Sequence, residues 1–172
     1  MNRRNFLTSA LALGGLAALG APAFTLAAAG DKGRRAKADA VGRVVRTDEE
    51  WRRRLTPEQY EVARRGGTEA PYSSPLNGEH AKGTFLCVCC DLPLFSSKAK
   101  FESNTGWPSF WAPVSKKHVT EKTDRSLSEA RTEVLCARCD AHLGHVFDDG
   151  PPPTGLRYCM NGLALKFAPG KA

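Results

Sequence analysis

Cys87-Val-Cys-Cys90 and Cys136-Ala-Arg-Cys139 are the two stretches that decide how this chain of 172 residues folds. Each is a Cys-x-x-Cys pair, a spacing that turns both sulfurs of the pair toward one point. Two such turns together supply four thiolates in a tetrahedral arrangement, which suits a zinc ion and leaves no open coordination position. We therefore predict one structural Zn²⁺ per chain, held by Cys87, Cys90, Cys136 and Cys139, that joins two distant hairpins.

Two other interpretations of these cysteines stay open. An exported chain with an even number of cysteines can use them as a disulfide framework, and a Cys-x-x-Cys pair can be a redox motif. The duplication of the pair favours zinc over both. Cys89 lies inside the first turn, where it is either a neighbour of the ligands or an alternative ligand.

The composition is that of ordinary globular protein, with 41% hydrophobic and 25% charged residues. These fractions exclude a disordered tail and a membrane protein with several spans. The formal net charge of +7 is scattered along the chain. Scattered basic residues are weak evidence for nucleic-acid binding, so we expect no nucleic-acid partner.

Residues 1–29 are predicted to be a signal peptide. Arg3 and Arg4 precede an apolar run rich in alanine and glycine, and Ala27-Ala-Ala29 provides a cleavage site, a pattern typical of twin-arginine export. The uncharged stretch is long enough to be an uncleaved membrane anchor instead, although its glycines and Pro22 favour cleavage. We expect an exported, periplasmic protein without stable membrane association after cleavage.

Residues 30–46 are polar and basic and are predicted to be a disordered linker, so that the folded domain spans residues 47–170. Thr47 and Thr56 are predicted N-caps of two short helices. From Gly83 onward, short β-type runs alternate with turn residues. This order predicts a mainly β (α+β) fold: an antiparallel β domain of two small sheets, with short N-terminal helices and the structural zinc site of four cysteines.

Cys159 is the remaining cysteine, and it lies in a β-type run. A small buried apolar residue is the ordinary role of such a cysteine. Arg157 and Asn161, each two residues away, project to the same strand face, where the guanidinium favours a thiolate and the amide offers hydrogen bonds. His142 and His145 follow the second cysteine pair; because four thiolates satisfy zinc, both imidazoles are free for acid–base chemistry.

The aromatic string Gly106-Trp-Pro-Ser-Phe-Trp111 has two possible roles. Three large rings around a proline turn are ordinary core material. Beside a cysteine nucleophile, an aromatic wall also recognises a thioether methyl group, since sulfur–ring contacts contribute about 0.3 to 1.5 kcal/mol each.

These motifs, in this order, resemble the methionine-R-sulfoxide reductases of the B type over about residues 51–167. The matching strings include Thr68-Glu-Ala-Pro71, Cys87-x-x-Cys90-Asp-Leu-Pro-Leu-Phe95, Gly106-Trp-Pro-Ser-Phe110, His142-Leu-Gly-His-Val-Phe147 and Leu156-Arg-Tyr-Cys-Met-Asn161. The resemblance implies a mainly β fold and a protein-repair enzyme that reduces methionine R-sulfoxide in oxidised proteins or peptides.

The resemblance also implies roles for individual residues. Cys159 is expected to attack the sulfoxide sulfur as a thiolate that Arg157 stabilises. The oxygen is then transferred to Cys159, which becomes a sulfenic acid. Trp107 is expected to contact the substrate methyl group. His142, His145 and Asn161 are expected around the sulfoxide oxygen. From the chemistry, we expect His145 to transfer the proton, with His142 as the second candidate.

One position departs from the family's pattern. Many members have a resolving cysteine two residues before the Trp-Pro pair, where this chain has Thr105. We therefore expect an external thiol, such as a thioredoxin-like protein, to reduce the sulfenic acid, unless Cys89 forms a disulfide with Cys159. We expect a monomer. The rival hypothesis is an exported zinc-ribbon binding module without catalysis.

Overall fold

The computed structural model describes residues 41–170. The predicted signal peptide, residues 1–29, lies outside the described residues, as does the predicted linker up to residue 40. In the described range, no helix combines the length and apolar character that crossing a membrane requires.

The last part of the predicted linker, residues 41–46, is ordered against the domain. The Val44 N–H donates to the Arg138 carbonyl oxygen at 2.8 Å. The Arg43 guanidinium donates two hydrogen bonds to the Asp140 carboxylate, at 2.6 and 2.7 Å. The predicted disorder does not hold for these residues, because long-range contacts that local polarity does not reveal anchor them.

Two short helices open the domain, as predicted. Helix α1 spans Asp48–Arg54 and helix α2 spans Pro57–Arg65. Thr47 and Thr56 are their N-caps, each in a reciprocal capping box with the third helical residue. Helix α2 ends at Gly66, whose φ of 72° lies in the left-handed region that favours glycine.

Nine strands in the described part of the chain form two sheets. They are β1 Gly83–Cys87, β2 Pro93–Ser96, β3 Lys100–Phe101, β4 Ser109–Phe110, β5 Val119–Asp124, β6 Arg131–Cys136, β7 His142–Phe147, β8 Arg157–Met160 and β9 Leu165–Pro169. The first sheet has the order β2-β1-β9 and the second the order β3-β4-β8-β7-β6-β5. All the pairings are antiparallel, which confirms the predicted mainly β fold of two sheets.

Aromatic rings from both sheets meet in the core. Phe85 and Phe95 come from the three-stranded sheet, and Phe110 and Tyr158 come from the six-stranded sheet. Phe110 stacks on Phe95 at 4.5 Å between ring centroids and meets Phe85 edge-on at 4.9 Å. Such pairs contribute about 0.5 to 1.5 kcal/mol each beyond their buried area, so these rings fasten the two sheets together.

Strand β8 separates this core from an outward face. Tyr158 and Met160 are buried, whereas Arg157 and Cys159, which alternate with them, are partly exposed. His145 of β7 is the cross-strand partner of Cys159. Cross-strand partners share a sheet face, so a thiol and an imidazole lie side by side on the outward face.

β7 and β8 lie close together at Gly144. Its φ is 150°, and a Cβ atom there would lie 2.2 Å from the Cys159 carbonyl oxygen. We expect Gly144→Ala to force the two strands apart and to lower the free energy of unfolding by about 1 to 3 kcal/mol, measured by guanidinium denaturation. The control is Gly78→Ala, because a Cβ at Gly78 meets no atom within 4 Å. Equal stability of the two variants would contradict this close pairing.

Candidate active site

A cavity of about 120 Å³ lies on the outward face of the six-stranded sheet. Its lining residues are Thr68, Trp107, Arg131, Gly144, His145, Phe147, Cys159 and Asn161. Four side chains singled out from the sequence therefore share one small space: a thiol, an imidazole, an amide and an indole. Strand pairing brings the thiol and imidazole together, and loops bring the other two.

Opposing effects set the acidity of Cys159, for which the sequence predicts a thiolate favoured by Arg157. Burial raises the pKa of the Cys159 thiol above its ordinary value, because the charged form loses hydration. The Thr105 hydroxyl, with its oxygen 3.8 Å from the Cys159 sulfur, and the Arg157 guanidinium both lower this pKa, but by less than burial raises it. Arg157 acts in the predicted direction and is outweighed.

Arg157 is held by two neighbours. Its guanidinium donates two hydrogen bonds to the Asp149 carboxylate, at 2.8 and 2.7 Å, and lies 4.5 Å from the centroid of the Phe147 ring. The hydrogen bonds from Arg157 lower the pKa of Asp149. The positive charge near Cys159 is therefore fixed in place and partly neutralised by a carboxylate.

His145 forms a pair with Asp124. Its Nε2 lies 2.8 Å from Asp124 Oδ2, and Arg131 donates to the same carboxylate at 2.7 Å. Hydrogen bonds from Ser126, followed by those from His145 and Arg131, hold the pKa of Asp124 well below its usual range. An ionised carboxylate only accepts, so His145 Nε2 carries the hydrogen.

The protonation of His145 follows from its surroundings. Burial lowers the pKa of His145 below its ordinary value, and Asp124 raises it by less. The imidazole is therefore neutral near pH 7. With Nε2–H donating to Asp124, its Nδ1 carries the lone pair and is available as a base.

His142 lies next to His145 but does not line the cavity in the described chain. Its ring centroid is 5.5 Å from that of His145, and its Nδ1 is 2.7 Å from Glu133 Oε1. Its buried Nε2 has no hydrogen-bond partner among the described residues. Of the two imidazoles, His145 is therefore the one that lines the cavity with Cys159.

Asn161 and Trp107 are oriented by one neighbour. The Asn161 Oδ1 accepts a hydrogen bond from the Glu69 N–H at 3.1 Å, and its Nδ2 donates to the Leu143 carbonyl oxygen at 3.3 Å. The Trp107 indole N–H donates to the Glu69 carbonyl oxygen at 3.2 Å. The polar atoms of both side chains are thus fixed beside Cys159.

The four paired cysteines form a separate cluster. Their sulfurs all lie within 4.8 Å of one another, with Cys87 3.7 Å from Cys139 and Cys90 3.6 Å from Cys136. A tetrahedron with metal–sulfur bonds of about 2.3 Å has sulfur–sulfur distances of about 3.8 Å. The cluster therefore fits a metal ion, as predicted from the spacing of the pairs.

Several residues of the site were not predicted from the sequence. Asp124, which contacts His145, lies in none of the motifs. Arg131-Thr-Glu133 is a string that also matches the family, but nothing in it places Arg131 at the cavity or Glu133 beside His142. Period-two alternation places Arg131 and Glu133 on one strand face. Only knowledge of the strand order could have placed that face beside His145.

Comparison with known proteins agrees with this geometry. The SelR domain family matches residues 55–169. The chain belongs to the MsrB family. The peptide methionine sulfoxide reductase MsrB of Pseudomonas putida (strain W619) is 57% identical over 127 residues, which cover 74% of this chain and 96% of that protein. The protein of the same name from Thioalkalivibrio sulfidiphilus (strain HL-EbGR7) is 59% identical over 121 residues, 70% of this chain and 88% of that protein.

A third relative, the peptide methionine sulfoxide reductase MsrB of Hahella chejuensis (strain KCTC 2396), is 54% identical over 127 residues, 74% of this chain and 91% of that protein. The family resemblance predicted from the motifs is confirmed. This MsrB-family chain is therefore an oxidoreductase, which disfavours the rival hypothesis of a zinc-ribbon module without catalysis.

The protonation of Cys159 can be tested by alkylation with iodoacetamide. Because burial raises its pKa, we expect the alkylation rate at Cys159 to rise with pH through a midpoint above that of a free cysteine, about 8.5. Peptide mass spectrometry reads the modification at Cys159 alone. Arg157→Gln should move the midpoint to higher pH still, since the guanidinium stabilises the thiolate. A full-rate plateau at or below pH 7 would contradict the assignment of a thiol.

Proposed function

We propose that this chain reduces the R epimer of methionine sulfoxide, in proteins or peptides, back to methionine, with Cys159 as the nucleophile. The observation that carries the proposal is the side-by-side placement of Cys159 and His145 in a cavity that Asn161 and Trp107 also line. The cavity volume of about 120 Å³ equals that of about four water molecules. That is room for a methyl sulfoxide group, the group in which the substrate side chain ends.

The reaction balances without an added proton. The Cys159 sulfur attacks the sulfoxide sulfur, the sulfur–oxygen bond breaks, and the oxygen ends on Cys159 as a sulfenic acid while methionine leaves as the thioether. His145 Nδ1 accepts the thiol proton and passes it to the sulfoxide oxygen. A thiol and a neutral imidazole are therefore a competent starting pair.

The cavity walls suit the two parts of the sulfoxide group, its methyl group and its oxygen. The Trp107 ring offers an apolar surface for the methyl group, as sulfur–ring and methyl–ring contacts favour. The Asn161 amide offers an N–H donor for the oxygen. A donor that strengthens its hydrogen bond as negative charge builds on the oxygen lowers the barrier to attack.

We also propose that the four-cysteine cluster binds one structural Zn²⁺. An all-sulfur donor set with four ligands suits zinc and leaves no position for substrate. The cluster is distinct from the cavity that contains Cys159. Cys87 ends β1 of one sheet and Cys136 ends β6 of the other, so the metal's part is to join the two sheets.

Regeneration of Cys159 is proposed to use an external thiol. Thr105 faces the Cys159 sulfur but forms no disulfide. Cys89 is buried in the first cysteine turn beside Cys87 and Cys139 and does not line the cavity. A dithiol protein or a small thiol would therefore attack the sulfenic acid from the cavity side. We further propose that the protein is a monomer and that the twin-arginine signal directs its export to the periplasm. There it would repair oxidised periplasmic proteins.

The nucleophile can be tested by substitution. Cys159→Ser should lower turnover of the R sulfoxide by at least about 1,000-fold, since a hydroxyl is a far weaker nucleophile, while one zinc per chain remains by metal analysis. Cys89→Ser is the matched control and should retain full activity with a dithiol donor. The proposal fails if the Cys159→Ser variant stays active, or if the S epimer is the preferred substrate.

The recycling route can be tested at Thr105. After one turnover without reductant, we expect the wild type to carry a sulfenic acid at Cys159 that dimedone traps. In Thr105→Cys the new thiol, placed within reach of Cys159, should instead form a disulfide with it and release water. Thr120→Cys, with its thiol on exposed β5, is the control that should leave the sulfenic acid free. A Cys89–Cys159 disulfide in the wild type would overturn the external route.

A further inference from the structure

Glu69 is a buried carboxylate for which the proposed chemistry has no use. It lies in the segment between α2 and β1, and only 7% of its surface is exposed. A buried carboxylate loses much of its hydration, so it is retained only where hydrogen bonds replace the lost water. Its carboxylate accepts two hydrogen bonds from the turn that follows Asn161. Its backbone makes two more, with Asn161 and Trp107, which line the cavity with Cys159.

The carboxylate caps the turn that follows Asn161. Residues Gly162–Ala164 form a 3₁₀ turn with Asn161 as its N-cap. The first N–H groups of such a turn have no partner within it. Glu69 Oε1 accepts from the Gly162 N–H at 2.5 Å, and Oε2 accepts from the Leu163 N–H at 2.9 Å.

Because Glu69 caps the turn, the Asn161 side chain does not have to. Asparagine is a strongly preferred N-cap because its own side chain accepts from the first N–H groups. Here the Asn161 side chain makes no such bond, since Glu69 already satisfies those donors. The Asn161 amide is therefore free to point into the cavity with Cys159.

The backbone of Glu69 then fixes the amide and the indole. Its N–H donates to Asn161 Oδ1 at 3.1 Å, and its carbonyl oxygen accepts from the Trp107 indole N–H at 3.2 Å. Because Oδ1 must face the Glu69 N–H, the amide cannot flip. One Nδ2 hydrogen goes to the Leu143 carbonyl oxygen, and the second remains for a substrate oxygen.

Gly162 lies in close contact with the segment that carries Glu69. A Cβ atom on Gly162 would lie 1.9 Å from Ser74 Oγ and 3.3 Å from Glu69 Oε1. Residues 69–74 and the turn are therefore in direct contact, and a glycine at position 162 is required for it. A displacement of Glu69 is passed directly to Asn161.

We propose that Glu69 is a positioning residue for the reduction of methionine sulfoxide. By capping the turn in place of Asn161, its carboxylate leaves the Asn161 amide free and holds it in the geometry that receives the sulfoxide. This inference rests on the proposed function. It places no part of Glu69 in contact with substrate, and it predicts an effect on catalysis that passes through Asn161.

The test is a double-mutant cycle with N-acetyl-methionine-R-sulfoxide and a dithiol donor. Glu69→Gln replaces one acceptor oxygen by an amide that faces a backbone N–H. We expect it to lower kcat/KM by about 10- to 100-fold, the scale set by misplacement of a reacting group. In the Asn161→Ala background the same change should cost less than about threefold, because sites that act through one another are not additive.

Two further readouts separate positioning from a general loss of structure. Zinc content and the iodoacetamide reactivity of Cys159 should stay at wild-type values in Glu69→Gln. Glu61→Gln, the same change at an exposed position on α2, is the matched control and should leave kcat/KM unchanged. If Glu69→Gln does not fold, Glu69→Asp, which keeps the charge and shortens the reach, takes its place in the cycle.

The outcomes are distinct. Equal fold-losses in the wild-type and Asn161→Ala backgrounds, or no loss in the wild type, would overturn the role of Glu69. Failure of the proposed function is a different result: the wild type would then show no turnover of the R sulfoxide, whatever residue stands at position 69.

Discussion

The antiparallel register between β7 and β8 is the constraint on which the site depends. It pairs His145 with Cys159 and Phe147 with Arg157, so the four side chains emerge on the outward face while Tyr158 and Met160 enter the core. A slip of one residue would exchange these faces and bury the reactive thiol. Gly144 allows the two strands to approach closely enough to hold this register.

Two further features connect the ends of strands. The four-cysteine cluster brings the end of β1 in one sheet next to the end of β6 in the other. Glu69 binds the turn after β8 through its carboxylate and the indole of Trp107 through its carbonyl oxygen.

Much of this arrangement was predictable because it depends on local rules. Threonine caps mark the starts of both helices, the cysteine spacing predicts the cluster, and period-two alternation puts Arg157 on the face of Cys159. The roles of Asp124 and Glu69 were not predictable, since each acts on a residue distant in the chain. The raised pKa of Cys159 was not predictable for a related reason: burial, which outweighs Arg157, is a property of the assembled fold.

The electrostatic balance at the site also favours a particular order of events. A thiol beside a neutral imidazole reacts slowly with general oxidants, because the thiolate is the reactive form. A bound sulfoxide supplies the oxygen that receives the thiol proton, so the chemistry starts when substrate is present. This selectivity suits the proposed role in the repair of oxidised proteins.

The most direct test of this account is a single turnover without reductant. One equivalent of methionine-R-sulfoxide is mixed with the zinc-loaded chain, the released methionine is counted, and the oxidised sulfur is located by mass spectrometry. We predict one methionine per chain, with the oxygen on Cys159 and all four cluster cysteines unmodified. Methionine formed while Cys159 stays reduced, or oxygen found on the cluster sulfurs, would contradict it.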